Sequence, residues 1–124
     1  MPAPSQSLPR AQIIRRRVVF DTARARGQRV SNRYMTLNFI ACEAVPPGET
    51  GTVAFLTPKR VGGATERTQL RRRMREIYRR RIARTEETMY LIWIARPAAL
   101  ELDFEEMAKC MAELKARRDR FVVD

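Results

Sequence analysis

The spacing of apolar and polar residues predicts three strands. Residues 33–41 alternate, with Met35, Leu37 and Phe39 on one side, which is typical of a half-buried strand. Residues 89–95 are almost continuously apolar and too few for a buried helix, so they predict a central strand buried on both faces. Residues 52–57 predict a strand antiparallel to 33–41, because a Pro-Pro-Gly turn at 45–50 connects the two.

Three helices are predicted from apolar residues at helical spacing and from capping residues. Residues 12–26 predict a short helix, or a turn followed by a helix, which Gly27 ends. Thr65 is the predicted N-cap of a long helix that reaches Arg84 without Gly or Pro. The last helix begins at Asp103, where Glu106 completes a capping box, and it frays from residue 117.

The order of these elements predicts the fold class. Helix, strand, strand, long basic helix, strand and helix give an α+β fold, a small two-layer sandwich around one mostly antiparallel central sheet. The chain has 124 residues, which suits a single domain over residues 12–120. The Pro/Ser-rich residues 1–11 are expected to be a disordered tail, and residues 121–124 a frayed C-terminus.

Positive charge is concentrated in two segments. The chain carries 25 basic and 14 acidic residues, a net charge of +11. Residues 58–84 hold eleven basic and two acidic residues, and residues 10–33 hold eight arginines and one acid. Two basic segments on a neutral-to-acidic remainder are typical of a nucleic-acid-binding surface rather than of general solubility.

The long helix separates an apolar face from a basic face. Leu70, Met74 and Ile77 lie at i, i+4 and i+7 and form the apolar stripe. The far side carries Thr68, Arg71, Arg72, Arg75 and Arg79. A solvated charged helix is the alternative, but such helices interleave acids with bases, and the arginine runs 71–73 and 79–81 have almost no acid to pair with. The pattern therefore favours a polyanionic partner.

The residue types needed for several other sites are missing. The chain has no His, which excludes a Cys/His metal site and the usual catalytic triads. Cys42 and Cys110 are isolated and are expected to be small apolar residues in a reducing compartment. No apolar run approaches the roughly 20 residues of a membrane span. We therefore expect no catalytic residue and no metal ligand in the protein, and no membrane association.

Two features leave alternatives open. Tyr34, Thr36 and Asn38 share one face of the strand 33–41, where aromatic and amide groups could stack on and hydrogen-bond single-stranded bases. An ordinary solvent-facing surface explains the same pattern equally well. Phe20 lies on the first helix, and its spacing alone favours a place in the core.

The central segment resembles the signature of the protein subunit of bacterial ribonuclease P. Residues 59–64 read KRVGGA, Arg67 follows, and residues 70–76 read LRRRMRE. Phe20 with Gly27, Asn32-Arg33, and residues 92–97 (IWIARP) resemble other parts of that family, so the resemblance covers residues 13–118. Four positions depart from the pattern. Gly63 replaces an Asn, Thr68 and Gln69 stand where the family has Asn and Arg, and Arg24 stands where the family often has an aromatic residue.

This resemblance implies a role beside a catalytic RNA in the bacterial cytoplasm. The protein would bind the ribonuclease P RNA and precursor tRNA, whose 5′ leader is removed by Mg²⁺-dependent hydrolysis. Mg²⁺ would be bound mainly by the RNA, none by the protein alone, and no obligate protein partner is expected. The family fold also implies a left-handed βαβ crossover around the long helix, against the usual right-handed rule.

The resemblance further implies roles for individual residues. Those that would face the catalytic RNA are Lys59, Arg60, Arg67, Thr68, Arg71, Arg72, Arg75 and Arg79. Those that would line the cleft for the leader are Phe20, Arg24, Tyr34, Thr36 and Asn38, which moves Phe20 from the core to the cleft. Rival functions are a ribosomal-type structural RNA-binding protein, a DNA-binding regulator without a helix-turn-helix signal, and a protein-only nuclease without convergent carboxylates.

Overall fold

The computed structural model describes residues 12–83 and 88–123. The predicted tail at 1–11, the predicted helix end at Arg84 and the last residue lie outside this range. The helices and strands, in chain order, are α1 (Arg17–Arg26), β1 (Gln28–Ser31), β2 (Met35–Ala41), β3 (Val53–Leu56), α2 (Ala64–Ile77), β4 (Met89–Ala95) and α3 (Phe104–Val123). A π-helical turn, Tyr78–Ile82, continues α2.

The four strands form one sheet in the order β1-β2-β4-β3. β1 pairs with β2 and β2 with β4 in antiparallel directions, whereas β3 pairs with β4 in parallel. The mostly antiparallel sheet is confirmed, and β3 runs antiparallel to β2 as predicted, but the two strands are not neighbours. The nearly all-apolar β4 takes the position between them, because a strand buried on both faces is most stable inside the sheet. Thus β3, α2 and β4 form a crossover connection, whose handedness stays a prediction.

Helices pack on both faces of the sheet. Leu70 and Met74 of α2 and Met111 of α3 lie over one face, against side chains such as Trp93. Each of these side chains is almost fully buried, which contributes roughly 1.5–3 kcal/mol for a residue of this size. α1 packs on part of the other face through Val19 and Ala23, in a separate apolar cluster. The rest of that second face stays open.

The segment that leads into α1 is held by a carboxylate. Glu49 accepts hydrogen bonds from the backbone N–H groups of Arg15 (3.0 Å), Arg16 (2.8 Å) and Gly51 (2.9 Å). Burial acts to raise the pKa of Glu49, but these backbone hydrogen bonds outweigh it, so the pKa lies below its ordinary value. α1 begins at Arg17, so of the two arrangements predicted for residues 12–26 the structure has the one in which a non-helical segment precedes a shorter helix.

At the starts of α2 and α3, a glutamate carboxylate accepts a hydrogen bond from the backbone N–H of the residue that caps the helix. Asp103 and Glu106 form the predicted capping box, with Oδ1 of Asp103 2.8 Å from the backbone nitrogen of Glu106 and the reciprocal bond at 2.9 Å. α2 is capped two residues earlier than predicted. Gly63 is its N-cap instead of Thr65, and the backbone N–H of Gly63 donates to Glu66 at 3.0 Å.

The last helix continues past the predicted fraying point at residue 117 and reaches Val123. Its end is tied to the sheet. Arg117 donates a hydrogen bond to the carbonyl oxygen of Ser31 at 2.8 Å, and the ring of Phe121 packs edge-on against Phe39 with 5.7 Å between the ring centres. These contacts connect the C-terminal turns to the edge strand β1 and its neighbour.

Candidate nucleic-acid interface

A cleft of about 620 Å³ opens on the sheet face that α1 leaves uncovered. Its floor is apolar and its rim carries arginines. The lining residues are Phe20 and Arg24 of α1, Arg29 and Ser31 of β1, Thr36 and Asn38 of β2, Ile92 and Ile94 of β4, and Leu56 and Arg60 at the end of β3.

The position of α1 beside the cleft depends on Asn38 and Gly27. The side-chain amide of Asn38 is buried and donates to the carbonyl oxygens of Ala23 and Gln28, each at 3.0 Å. At Gly27 a Cβ atom would lie only 2.7 Å from the carbonyl oxygen of Phe39, so the chain needs a glycine for this close approach. Together they fix the C-terminal end of α1, and with it Phe20 and Arg24.

Four of the five predicted cleft residues lie together, and one does not. Phe20, Arg24, Thr36 and Asn38 line the cleft. Tyr34 does not, and it packs instead against the core on the α2 and α3 side.

The placement of Tyr34 has a local cause. The side-chain oxygen of Asn32 accepts the backbone N–H groups of Tyr34 (2.8 Å) and Met35 (3.0 Å), which turns the chain just before β2 begins. The alternation of side chains between the two faces of the sheet therefore starts only at Met35. The predicted sharing of one strand face by Tyr34, Thr36 and Asn38 is wrong for Tyr34.

Several cleft residues were not identified from the sequence. Arg29 and Ser31 belong to β1, a four-residue strand that was not predicted. Its one buried apolar residue, Val30, gives no alternating pattern that would indicate a strand. Leu56, Ile92 and Ile94 are apolar and gave no sign of a site. Alternation along β4 does separate Ile92 and Ile94 from Leu91 and Trp93, so their face could have been predicted once the partner strands were known.

The basic face of α2 exposes Arg71, Arg72 and Arg75. The guanidinium of Arg71 is held by two hydroxyl groups, with Nη1 2.6 Å from Oγ1 of Thr57 and Nη2 3.2 Å from Oγ1 of Thr68. Thr68, which replaces the family's Asn, therefore supports an arginine.

Other predicted RNA-binding residues lie around the start of α2. Lys59 and Arg60 are exposed just before the helix. Arg67 is half-buried, and its Nε atom is buried without a hydrogen-bond partner.

The C-terminal part of this basic segment differs from the prediction. The Arg79 side chain is only 12% exposed and pairs with Glu76, which also binds Arg80 at 2.6 Å. Arg81 forms two hydrogen bonds to Glu105 of α3, at 3.0 and 2.9 Å, and this contact lowers the pKa of Glu105. The inference that these arginines lack acidic partners is thus wrong for residues 79–81. Arg79 does not belong to the exposed basic face of α2.

The cleft and the basic face of α2 adjoin through residues 56–60. Leu56 and Arg60 line the cleft, while Thr57 between them binds Arg71. One short segment therefore positions side chains of both surfaces.

Within residues 12–83 and 88–123, no group of three or more His, Cys, Asp or Glu side chains is placed so that it could hold a metal ion. None of the helices in these ranges has the length and apolar character needed to cross a membrane.

Comparison with known proteins identifies the family. The family model described as Ribonuclease P matches residues 8–118, nearly the whole chain. The chain belongs to the ribonuclease P protein family. This confirms the family that residues 59–76 predict, and it makes the surfaces described above candidate sites of a ribonuclease P protein.

Bacterial ribonuclease P protein components resemble the chain over most of its length. The protein from Symbiobacterium thermophilum is 30% identical over 110 residues, which cover 89% of this chain and 93% of the relative. The protein from Acidothermus cellulolyticus is 33% identical over 101 residues, 82% of each chain.

Solved structures of ribonuclease P proteins share the fold. The Staphylococcus aureus protein matches with a TM-score of 0.69 at 17% identity, over 83% of this chain and 91% of that one. The Thermotoga maritima protein, solved in complex with 1-(4-fluorophenyl)-2-thiourea, matches with a TM-score of 0.65 at 23% identity, over 82% of this chain and 97% of that one. The predicted α+β class is confirmed.

Proposed function

We propose that this chain is the RNA-binding protein subunit of a bacterial ribonuclease P. It binds the catalytic RNA through the basic face of α2 and holds the single-stranded 5′ leader of precursor tRNA in the cleft. It thereby assists removal of the leader to give the mature tRNA 5′ end in the cytoplasm. The protein itself supplies no catalytic residue in this proposal.

The observation that carries the proposal is the junction at residues 56–60. A catalytic RNA and its precursor tRNA are both polyanions and repel each other. A protein that contacts both at adjoining surfaces lowers this repulsion by placing positive charge between them. Since Arg60 lines the cleft and Thr57 holds Arg71, the two surfaces lie in a fixed relation.

The surface of α2 suits phosphate binding. Guanidinium groups bind phosphate oxygens with paired N–H donors, and each contact releases counterions from the RNA. Arg71 is already oriented by Thr57 and Thr68, which reduces the ordering that binding requires.

The cleft suits a single strand of variable sequence. Its apolar floor at Ile92 and Ile94 and the ring of Phe20 can take bases, and Arg24 and Arg29 on its rim can take phosphates. Such contacts tolerate many leader sequences.

Magnesium would be held mainly by the partner RNA, where it activates water for phosphodiester hydrolysis. The chemistry of the α2 surface supports this part of the proposal. The exposed side chains of its basic face, Arg71, Arg72 and Arg75, end in guanidinium groups, which bind phosphates rather than metal ions.

A cleavage assay at low Mg²⁺ tests the function. Precursor tRNA with a labelled 5′ leader is incubated with a bacterial ribonuclease P RNA, with and without the protein. The proposal expects cleavage at the mature 5′ end that requires both components. Tight RNA binding without any gain in cleavage would overturn it and leave a structural RNA-binding protein.

A further inference from the structure

Two hydroxyl groups lie side by side on the cleft wall. Ser31 and Thr36 are partners in the register of β1 and β2, and both line the cleft. Their oxygen atoms are 3.0 Å apart, and either can donate the hydrogen bond between them. Two hydroxyls offer two O–H donors, and this bond uses only one. The pair therefore keeps one donor and several acceptor positions for a ligand.

The other polar groups of the wall are differently committed. The side-chain NH2 group of Asn38 donates both of its hydrogen bonds to backbone carbonyls. Only its side-chain oxygen is left for a ligand, and that atom can only accept. Arg24 binds Asp21 at 2.9 Å, and Arg29 binds the carbonyl oxygen of Arg24 at 3.2 Å. The guanidinium groups can only donate. Among the cleft-lining residues, only the hydroxyl pair offers a ligand both an uncharged hydrogen-bond donor and an acceptor.

The surroundings of the pair match the parts of a nucleotide. Arg29 lies two residues before Ser31 on β1, on the same face of the strand and about 7 Å away along it. A phosphate at Arg29 and a base over Ile94 would place the sugar near the hydroxyls. A ribose 2′-hydroxyl is itself both donor and acceptor, and it is the group that distinguishes RNA from DNA.

We propose that the Ser31–Thr36 pair binds a 2′-hydroxyl of the leader, so that the cleft selects ribose over deoxyribose at one or two leader nucleotides. This inference rests on the proposed function, because it assumes that the leader occupies the cleft. It concerns the sugar and requires no reading of the base.

The test uses the full-length protein assembled with a ribonuclease P RNA. Affinity is measured for precursor tRNAs whose leader carries a single 2′-deoxy or 2′-fluoro nucleotide at successive positions. The 2′-fluoro sugar keeps the ribose pucker but cannot donate, so it separates hydrogen bonding from sugar conformation. We expect both substitutions to weaken binding about three- to tenfold at one or two positions, as loss of a hydrogen bond should.

Protein variants locate the effect. Thr36→Val keeps the shape of the side chain and removes its hydroxyl, and with Ser31→Ala it should abolish the difference between ribose and deoxyribose. Thr52→Val is the matched control, because Thr52 precedes β3 and does not line the cleft. Equal affinity for all leaders, or ribose selection that survives in the double variant, would overturn the hydroxyl assignment. Absence of any gain from an all-ribose leader over leaderless tRNA would overturn the proposed function itself.

Discussion

Arg71 donates a hydrogen bond to the buried hydroxyl of Thr57, with 2.6 Å between the two heavy atoms. Thr57 follows the last residue of β3, and Arg71 lies in the second turn of α2. The bond thus fixes the orientation of an arginine proposed to bind RNA, and it does so from the segment that follows β3 at the cleft rim. Thr57 was not among the residues predicted from the sequence.

Thr57→Val should weaken binding of the catalytic RNA about three- to tenfold, because Arg71 loses the hydroxyl that orients it. The charge of the protein does not change, so the salt dependence of binding should stay near the wild-type slope. Filter binding over a series of salt concentrations checks both quantities. Thr52→Val is the control, and equal affinity of the two variants would contradict a positioning role for Thr57.

Arg71→Ala combined with Arg75→Ala should weaken RNA binding and flatten its salt dependence. Each lost phosphate contact reduces the slope of log K against log salt by about 0.7–0.9, so two contacts remove roughly 1.4–1.8. Arg33→Ala with Arg120→Ala makes the same change in net charge outside both surfaces. If this control pair lowers the slope equally, the effect comes from overall charge and not from α2.

Phe20→Ala and Tyr34→Ala should have different effects, because Phe20 lines the cleft and Tyr34 packs against the core. Phe20 lines the cleft, so its loss should lower the affinity for leader-bearing precursor tRNA by about 1–3 kcal/mol, the range of a base-stacking contact. Leaderless tRNA should bind as before. Tyr34→Ala should instead lower the melting temperature and leave the contribution of the leader intact, since Tyr34 packs on the core. A selective leader defect in Tyr34→Ala would contradict this placement.

Glu49→Gln should destabilise the fold at neutral pH and make it less sensitive to acid. The pKa of Glu49 is lower in the folded protein than its ordinary value, so its carboxylate stabilises the fold above that value. This contribution is lost as the pH falls through the folded pKa. Denaturant unfolding between pH 7 and pH 3 should show the difference in unfolding free energy between wild type and variant closing below 4.5, the ordinary pKa of the carboxyl group. A constant gap would assign the effect to packing.

The sequence predicted correctly those features that depend only on residues close together in the chain. The stripe of Leu70, Met74 and Ile77 lies within one helix, and all three side chains are buried as expected. The capping box joins Asp103 and Glu106, which are three positions apart, and it is confirmed. Spacing of this kind depends only on helix geometry, which the sequence shows directly.

Contacts between distant segments account for most of the errors. Arg81 was predicted to lack an acidic partner because Glu105 is 24 residues away, on another helix. The parallel pairing of β3 with β4 was not predicted, since β4 follows α2 in the chain, far from β3. Within the cleft, β1 was missed because four residues with one buried side chain carry too little alternation to be recognised.

The parallel pairing of β3 with β4 has a consequence during protein synthesis. β3 ends at Leu56, but its partner begins only at Met89, so α2 and the cleft rim have no fixed support until β4 has left the ribosome. Nascent chains that stop before this point would carry most of the arginines without the surfaces that order them. Specific RNA binding is therefore expected to arise late, in nearly full-length chains, and RNA that binds them stabilises the completed domain by mass action.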